Sequence, residues 1–253
     1  MRVAFAAAVG GAGATRSALE CAAMLARDGR SAAVLDASFA TQGLADHLPG
    51  RIAPDVTTLV IDGDPLRAGL VDLPLDPDRK GEHGLADDRS GGAGRLAVCP
   101  ARAPFERVAR AKTTEAARRL GDLATEAAGE FDHVLLDVPP VAANQAVAAV
   151  NAADRVTVVT PATARGTDAL SRARDRFDDI GAGADATLLT FAGDGTTGVD
   201  ADAAFPASEI VAPAACPVAG AAGGTFPAAV AAATETLFDV SLDVDVGEGG
   251  LFG

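Results

Sequence analysis

The sequence predicts an α/β protein built on a doubly wound, mainly parallel sheet with helices on both faces. Two observations predict this class. Short apolar runs alternate along the chain with segments whose apolar residues recur at helical spacing, as successive βαβ units require. In addition, the runs at 134–136 and 156–159 are almost wholly apolar, which is typical of strands buried on both faces. Residues 1–238 are expected to form one domain of this kind.

The elements follow one another in the order that such a fold needs. We expect strands at 3–8, 32–35, 95–99, 133–137, 155–160, 186–191 and a last short one at 209–211. We expect helices at 17–27, 42–48, 113–128, 142–152, 167–180 and 226–237. Residues 51–94 are the least regular part, and the Gly-rich, charged stretch 76–94 is expected to be an exposed loop.

The C-terminal segment 239–253 is acidic and rich in Gly, so we expect it to be disordered. A second hypothesis for this segment is a docking peptide that uses Leu251 and Phe252. It has no basic amphipathic face, which argues against a membrane anchor.

Composition indicates the broad class of protein but says little about its binding partners. With 49% apolar residues the chain can bury a sizeable core. Its net charge is −14, and Lys80 and Lys112 are its lysines among 21 basic residues. This Asp-rich, Lys-poor, Ala-rich composition resembles proteins of salt-accumulating halophiles, where salt screens the repulsion between acidic groups. Acidity therefore gives no support to nucleic-acid binding and does not exclude it.

The chain is expected to be cytoplasmic. No apolar run reaches the ~18 residues that a membrane span needs, and the N-terminus does not resemble a signal peptide. Cys21, Cys99 and Cys216 are scattered and odd in number, which favours small buried thiols in a reducing compartment over disulfides or a metal site.

A glycine-rich loop at 9–15 is the most informative motif. It reads Val-Gly-Gly-Ala-Gly-Ala-Thr between the first strand and the first helix. This is the spacing of a phosphate-binding loop, but Ala14 stands where the phosphate-binding lysine is expected. The candidate nucleotide-binding residues are those of the loop and the first helical turn: Gly10, Gly11, Ala12, Gly13, Ala14, Thr15 and Arg16.

Two acidic residues each end an apolar run. Asp36 ends the second expected strand, and Asp137 ends the strand that precedes Pro139 and Pro140. Because ligands of parallel sheets bind beyond the carboxyl ends of the strands, we expect both carboxylates to converge with Thr15. These three residues are therefore expected to lie at one edge of the sheet.

A dinucleotide site is an alternative interpretation of the same loop. Asp36 stands where an acid would bind the ribose of NAD or NADP. However, Arg16 occupies the position of the third small residue of that fingerprint, and the chain has no tyrosine to act as a dehydrogenase acid. An NAD(P)-dependent oxidoreductase is therefore the weaker hypothesis.

Three segments together resemble the MinD/ParA family of P-loop ATPases. They are the loop 9–15, Val-Leu-Asp-Ala-Ser at 34–38 and Phe-Asp-His-Val-Leu-Leu-Asp-Val-Pro-Pro at 131–140. The segment 152–161 also resembles the next helix end and strand of that family. The resemblance runs in order over residues 1–238 and implies the P-loop NTPase fold, ATP and Mg²⁺ as ligands, and nucleotide-bridged dimers.

The functional residues of that family carry over unevenly. Its two loop lysines fall on Val9 and Ala14, and the second carboxylate of its Asp-x-Asp falls on Ser38. The resemblance implies that Thr15, Asp36 and Asp137 are the candidate Mg²⁺ residues. Thr15 would supply the hydroxyl, and Asp36 and Asp137 would supply the carboxylates of the Mg²⁺ site. The adenine-reading Asn of the family is absent from 189–192.

These departures favour a pseudo-ATPase that acts as a scaffold or regulator in chromosome, division-site or polar positioning. Its partner would be another protein, a second copy or an intact paralogue. The alternative within the same family is a slow switch that binds Mg-ATP without lysine.

Overall fold

The computed structural model describes residues 1–75, 94–193 and 198–247. Its strands are β1 (Arg2–Ala7), β2 (Ser31–Asp36), β3 (Val71–Asp72), β4 (Arg95–Cys99), β5 (His133–Val138), β6 (Arg155–Pro161), β7 (Ala186–Ala192) and β8 (Ala203–Pro206). Its α-helices are α1 (Ala14–Arg27), α2 (Val56–Asp62), α3 (Phe105–Arg110), α4 (Thr114–Glu130), α5 (Asn144–Ala152), α6 (Ala164–Asp179) and α7 (Thr225–Phe238). Short 3₁₀ turns cover Gly43–His47, Leu66–Ala68 and Pro213–Ala215.

The eight strands form one sheet in the order β3-β4-β2-β5-β1-β6-β7-β8. The two-residue β3 pairs antiparallel with β4 at one edge, and the other pairings are parallel. β1 lies between β5 and β6, so the loop that follows β1 emerges at the middle of the carboxyl edge. The expected doubly wound class is confirmed.

Helices cover both faces of the sheet. One face packs against α1 and α7, and the other packs against α2 to α6, each through its own cluster of buried apolar side chains. Alanine is frequent in both clusters, and α1 buries Ala18, Ala22, Ala23 and Ala26 completely against the sheet. Both faces of the central strands are therefore buried, as their apolar sequences predict.

Three short elements between residues 56 and 110 differ from the sequence expectation. α2, α3 and β3 were not predicted. α2 is rich in β-branched residues, which disfavour helices, but Asp55 caps it by accepting a hydrogen bond from Thr58 N. Most of the expected exposed loop, residues 76–93, lies outside the described residues.

The last strand was predicted at the wrong place. β8 lies at Ala203–Pro206, and the expected strand at 209–211 is absent from the described structure. Ile210 and Val211 are instead exposed, and the carbonyl of Ile210 accepts a hydrogen bond from Arg16. A high β-propensity alone is therefore not enough to form a strand at this position.

The tail that was expected to begin at residue 239 makes contacts with the domain over residues 239–247. This segment, here called the strap, half-buries Val240, Leu242, Val244 and Val246 against the face that carries α1 and α7. Arg30 Nη2 donates to the carbonyl of Ser241 at 3.0 Å, and Gly224 N donates to that of Val246 at 2.9 Å. Arg27 also donates to the carbonyl of Asp245. Leu251 and Phe252, the expected docking residues, lie outside the described residues.

The N-terminus lies at the opposite edge of the sheet from the glycine loop. The ammonium group of Met1 donates to the carbonyl of Asp132, just before β5. Among the described residues, no helix combines the length and apolarity that crossing a bilayer requires.

Candidate functional site

The glycine loop has the backbone of an anion-binding loop. Gly11 and Gly13 have left-handed φ angles of 80° and 85°, which side chains with a Cβ rarely adopt. No side chain caps the N-terminus of α1 at Gly13, so its first backbone N–H groups stay available for an anion. Thr190 Oγ1 donates to the carbonyl of Ala12 at 2.7 Å and ties the loop to β7.

The expected cationic side chains are absent from the loop. Val9 is half-buried, and Ala14 is 6% exposed. Arg16 points away from the loop: its guanidinium donates to the carbonyl of Ile210 at 2.6 Å and to Ser208 Oγ at 2.9 Å. The same group lies 5.2 Å from the ring centroid of Phe226. These contacts hold Arg16 against the segment after β8.

Glu20 adds further contacts between α1 and the chain after β8. Its role was not predicted from the sequence. It is 0% exposed, pairs with Arg16 at 3.3 Å, and accepts hydrogen bonds from Val218 N and Ala219 N at 2.9 and 2.8 Å. Burial raises the pKa of Glu20, and these hydrogen bonds and the charge of Arg16 oppose the rise. An acid on the buried stripe of a helix is the signal that could have revealed it.

Asp36 acts as a tie between two loops. It is 0% exposed, and its two oxygens accept hydrogen bonds from Ser38 N at 2.6 Å and Ala101 N at 3.1 Å. Burial, opposed by these bonds, raises the pKa of Asp36 to about 6. A carboxylate held in this way is poorly placed for the hydroxyls of a ribose, which counts against the NAD(P) hypothesis.

Asp137 is the group that the fold leaves unsatisfied. It lies opposite Asp36 in the register of β2 and β5, and it is 1% exposed. Neither of its oxygens has a hydrogen-bond partner of good geometry among the described residues. Burial first, and then the charge of Asp36, raise the pKa of Asp137 well above its usual range, while the nearby hydroxyl of Thr15 lowers it.

Thr15, Asp36 and Asp137 therefore converge at the carboxyl edge, as their positions in the sequence predict. An orphaned buried carboxyl beside a hydroxyl fits a hard cation such as Mg²⁺, which takes oxygen ligands and keeps several waters. The described residues hold no cluster of three or more His, Cys, Asp or Glu side chains that would suit a metal held by protein alone. The three cysteines are buried, as expected.

A pocket open to solvent adjoins the loop. Its walls come from the start of α1, the ends of β7 and β8 and the start of α7, and its lining residues are Gly13, Arg16, Ser17, Thr190, Phe191, Phe205, Pro206, Ser208 and Phe226. This pocket was not predicted from the sequence. Three of its lining residues are Phe, although aromatic residues make up only 4% of the chain. The positions of these few Phe residues were the sequence feature that could have indicated the pocket.

Comparison with solved structures identifies the class of fold. The cell division ATPase MinD of Pyrococcus furiosus superposes with a TM-score of 0.72 at 14% identity, over 94% of this chain and 98% of that one. MinD in the MinC:MinD complex of Aquifex aeolicus gives 0.71 at 14% identity, over 98% and 99%. A ParA family ATPase from Chlorobium tepidum gives 0.61 at 17% identity, over 82% and 85%.

The fold is thus that of the MinD/ParA P-loop ATPases, as the three motifs suggest. Sequence comparison adds nothing to this likeness: no family model matches the chain, and no curated protein does either. At these identities the likeness concerns the fold.

Proposed function

We propose that this protein is a MinD/ParA-like pseudo-ATPase that serves as a scaffold or regulator in the spatial organisation of the cell. Division-site, chromosome and polar positioning are the processes we consider. The observation that carries the proposal is a phosphate loop with intact backbone geometry and no cation: Val9 and Ala14 are apolar, and Arg16 is held elsewhere.

Phosphoryl transfer depends almost entirely on positioned charge. Backbone N–H groups at the start of α1 can hold a phosphate weakly, but they cannot neutralise the charge that develops between the β- and γ-phosphates. We therefore expect hydrolysis to be very weak or absent, while the fold itself is retained.

A scaffold needs a surface for its partner, and the carboxyl edge of the sheet offers one. Phe105, Phe191 and Val211 are 85%, 55% and 79% exposed, and they follow or end strands β4, β7 and β8. We infer a protein contact at this edge from the large apolar groups exposed there on an otherwise acidic surface. The partner we propose is a second copy, a paralogue or another protein, as MinC is for the Aquifex MinD.

The first prediction tests the missing cation. Titration of a fluorescent ATP analogue with Mg²⁺ in molar KCl should give weak or no binding and no measurable hydrolysis for the wild-type protein. Ala14→Lys should strengthen binding by at least about tenfold, because the loop regains its phosphate partner. Arg110→Lys on α3 is the matched control and should change nothing. Rapid ATP turnover by the wild type would contradict the pseudo-ATPase proposal.

A slow Mg-ATP switch is the second candidate, and the unsatisfied Asp137 favours it. In that case Thr15 and Asp137 would hold Mg²⁺, which would supply the positive charge that the loop lacks. Mg²⁺-dependent ATP affinity that Asp137→Ala abolishes, in a protein that is otherwise folded, would support the switch. Affinity that is equal with and without Mg²⁺ would exclude it.

A further inference from the structure

Helix α3 holds an aromatic ring in solvent. Phe105, its first residue, is 85% exposed, the highest value among the large apolar side chains that the structure describes. The helix itself is anchored, because Val108 is 5% exposed and Arg107 Nη1 donates to Thr58 Oγ1 at 3.2 Å. The ring of Phe105 is therefore exposed although its helix is packed on the domain.

The segment before α3 is also held firmly. Three successive backbone N–H groups each donate to a different side chain: Ala101 to Asp36 at 3.1 Å, Arg102 to Asp55 at 2.8 Å and Ala103 to Gln42 at 3.1 Å. Gln42 Nε2 in turn donates to the carbonyl of Ala103 at 2.8 Å. A ring on a backbone fixed in this way loses little conformational entropy when a partner covers it, which is the property of an interface anchor.

The residues around this ring carry the opposite charge from the rest of the chain. Residues 102–112, here called the α3 patch, contain four basic residues and one acid, whereas the whole chain has a net charge of −14. Arg107 pairs with Asp62 at 3.4 Å. Arg102 lies 3.9 Å from Asp46, and both of these side chains are more than half exposed, so their pairing is weak.

Lys112 adds a cation that the fold does not use. It is exposed, it follows α3 by two residues, and it forms no ion pair within the parts of the chain that the structure describes. A helix of the length of α3 spans about 9 Å, so one short peptide can reach both Phe105 and Lys112. The patch thus combines an open apolar ring with free positive charge.

We infer that the α3 patch docks an acidic segment of a partner protein, with an apolar side chain of that segment seated on Phe105. Carboxylates of the segment complement the charge of the patch, and such complementarity fixes orientation and disfavours wrong partners. The inference rests on the proposed function to the extent that a scaffold needs a partner, and it specifies the chemistry of that partner.

A nucleic acid fits the patch less well than an acidic peptide segment does. A long polyanion senses the whole molecule, whose net charge of −14 repels it, whereas a short segment senses charges within a Debye length, about 8 Å at 0.15 M salt. In molar salt, contacts to phosphates lose most of their affinity. An apolar contact with Phe105 is not weakened by screening.

The experiment uses the full chain and a fluorescein-labelled peptide, Asp-Glu-Asp-Leu-Phe-Asp-Glu-Asp, and follows fluorescence polarisation in about 0.2 M KCl. We expect a dissociation constant of roughly 10–100 μM. Replacing Leu-Phe by Ser-Ser, or the acids by Asn and Gln, should each weaken binding by about tenfold. The inference is overturned if the original peptide does not bind, or if either comparison peptide binds within about twofold of it.

Variants of the protein locate the binding site. Phe105→Ser should weaken the original peptide by about tenfold, whereas Phe105→Leu keeps an apolar contact and should stay within about threefold of the wild type. Lys112→Glu should weaken it by about fivefold. Arg172→Glu, at an exposed position of α6, changes the net charge equally and is the matched control, which should bind as the wild type does. Equal losses in Lys112→Glu and Arg172→Glu would refute the patch, because net charge alone would then explain them.

A competition experiment separates the two classes of partner. If a short DNA duplex displaces the labelled peptide more effectively than unlabelled peptide does, the patch belongs to a nucleic acid and the inference is wrong. Failure of the peptide to bind leaves the pseudo-ATPase proposal intact. Conversely, rapid ATP hydrolysis by the wild type would overturn that proposal and leave the measured docking unaffected.

Discussion

Asp137 concentrates the electrostatic cost of this fold in one side chain. A buried carboxyl without a hydrogen-bond partner is rarely tolerated unless it is protonated or binds a ligand. Asp36 beside it uses its own oxygens for backbone amides and adds a second negative charge. The two acids therefore make the ligand-free protein sensitive to pH.

The direction of this sensitivity follows from the shifted pKa values. Asp36 has its pKa raised from 3.8 to about 6, and the pKa of Asp137 is raised well above the same starting value. The folded state keeps protons on these two carboxyls that the unfolded chain has released. The stability that they contribute is therefore fully present below pH ~4 and is lost as pH rises through 6 and above. Guanidinium unfolding at pH 5 and pH 8 with a chelator present should show this loss.

Asp137→Asn should flatten the profile and stabilise the protein at pH 8 by about 1–3 kcal/mol, because it removes a buried charge while nearly keeping the volume. Asp122→Asn, at an exposed position of α4, is the control and should leave the slope unchanged. A slope that persists unaltered in Asp137→Asn would show that another group causes it.

At the scale of elements, the sequence predicts the regular strands and long helices well and the contacts between distant segments poorly. Periodicity located β1, β2, β4 to β7 and the long helices, because their burial pattern is periodic along the chain. It also brought Thr15, Asp36 and Asp137 to one edge. It missed the pocket and the contacts of Glu20, because these depend on residues that lie nearly 200 positions apart and meet only in the folded chain.

The sequence of the strap contains a pattern that indicates its contacts with the domain. Residues 240–246 read Val-Ser-Leu-Asp-Val-Asp-Val, and the apolar members are half-buried while the polar ones are exposed. This alternation of period two is the pattern of an extended segment with one buried side. The abundance of Asp and Gly in this segment led to a prediction of disorder instead.

Removing the strap tests its contribution. A chain ending at Asp239 should lose about 2–4 kcal/mol of stability in urea unfolding, because four half-buried apolar side chains and their backbone hydrogen bonds disappear. A chain ending at Gly247 keeps every contact described here and serves as the control. If both truncations unfold at the same urea concentration, the strap contributes nothing to stability.

At the scale of the whole molecule, charge dominates. A net charge of −14 on 253 residues means that like charges repel across the surface. Salt shortens the range of that repulsion to about 3 Å at 1 M, so the folded state gains more from salt than a neutral protein would.

We expect the melting temperature to rise steeply between about 0.1 and 2 M KCl, where screening becomes nearly complete. Differential scanning calorimetry would measure it, and sucrose at matched water activity would separate screening from general solute exclusion. A melting temperature that does not change with KCl would contradict the proposed adaptation to high salt.

The position of Met1 decides how this protein is best immobilised in partner searches. Met1 lies at the amino edge of the sheet, where it contacts Asp132, while the glycine loop and the exposed apolar residues lie beyond the carboxyl edge. β1 alone separates these edges by about 20 Å. The strap, in contrast, returns to Gly224, two residues from Phe226 in the pocket wall. Attachment through the N-terminus therefore leaves the candidate binding face open.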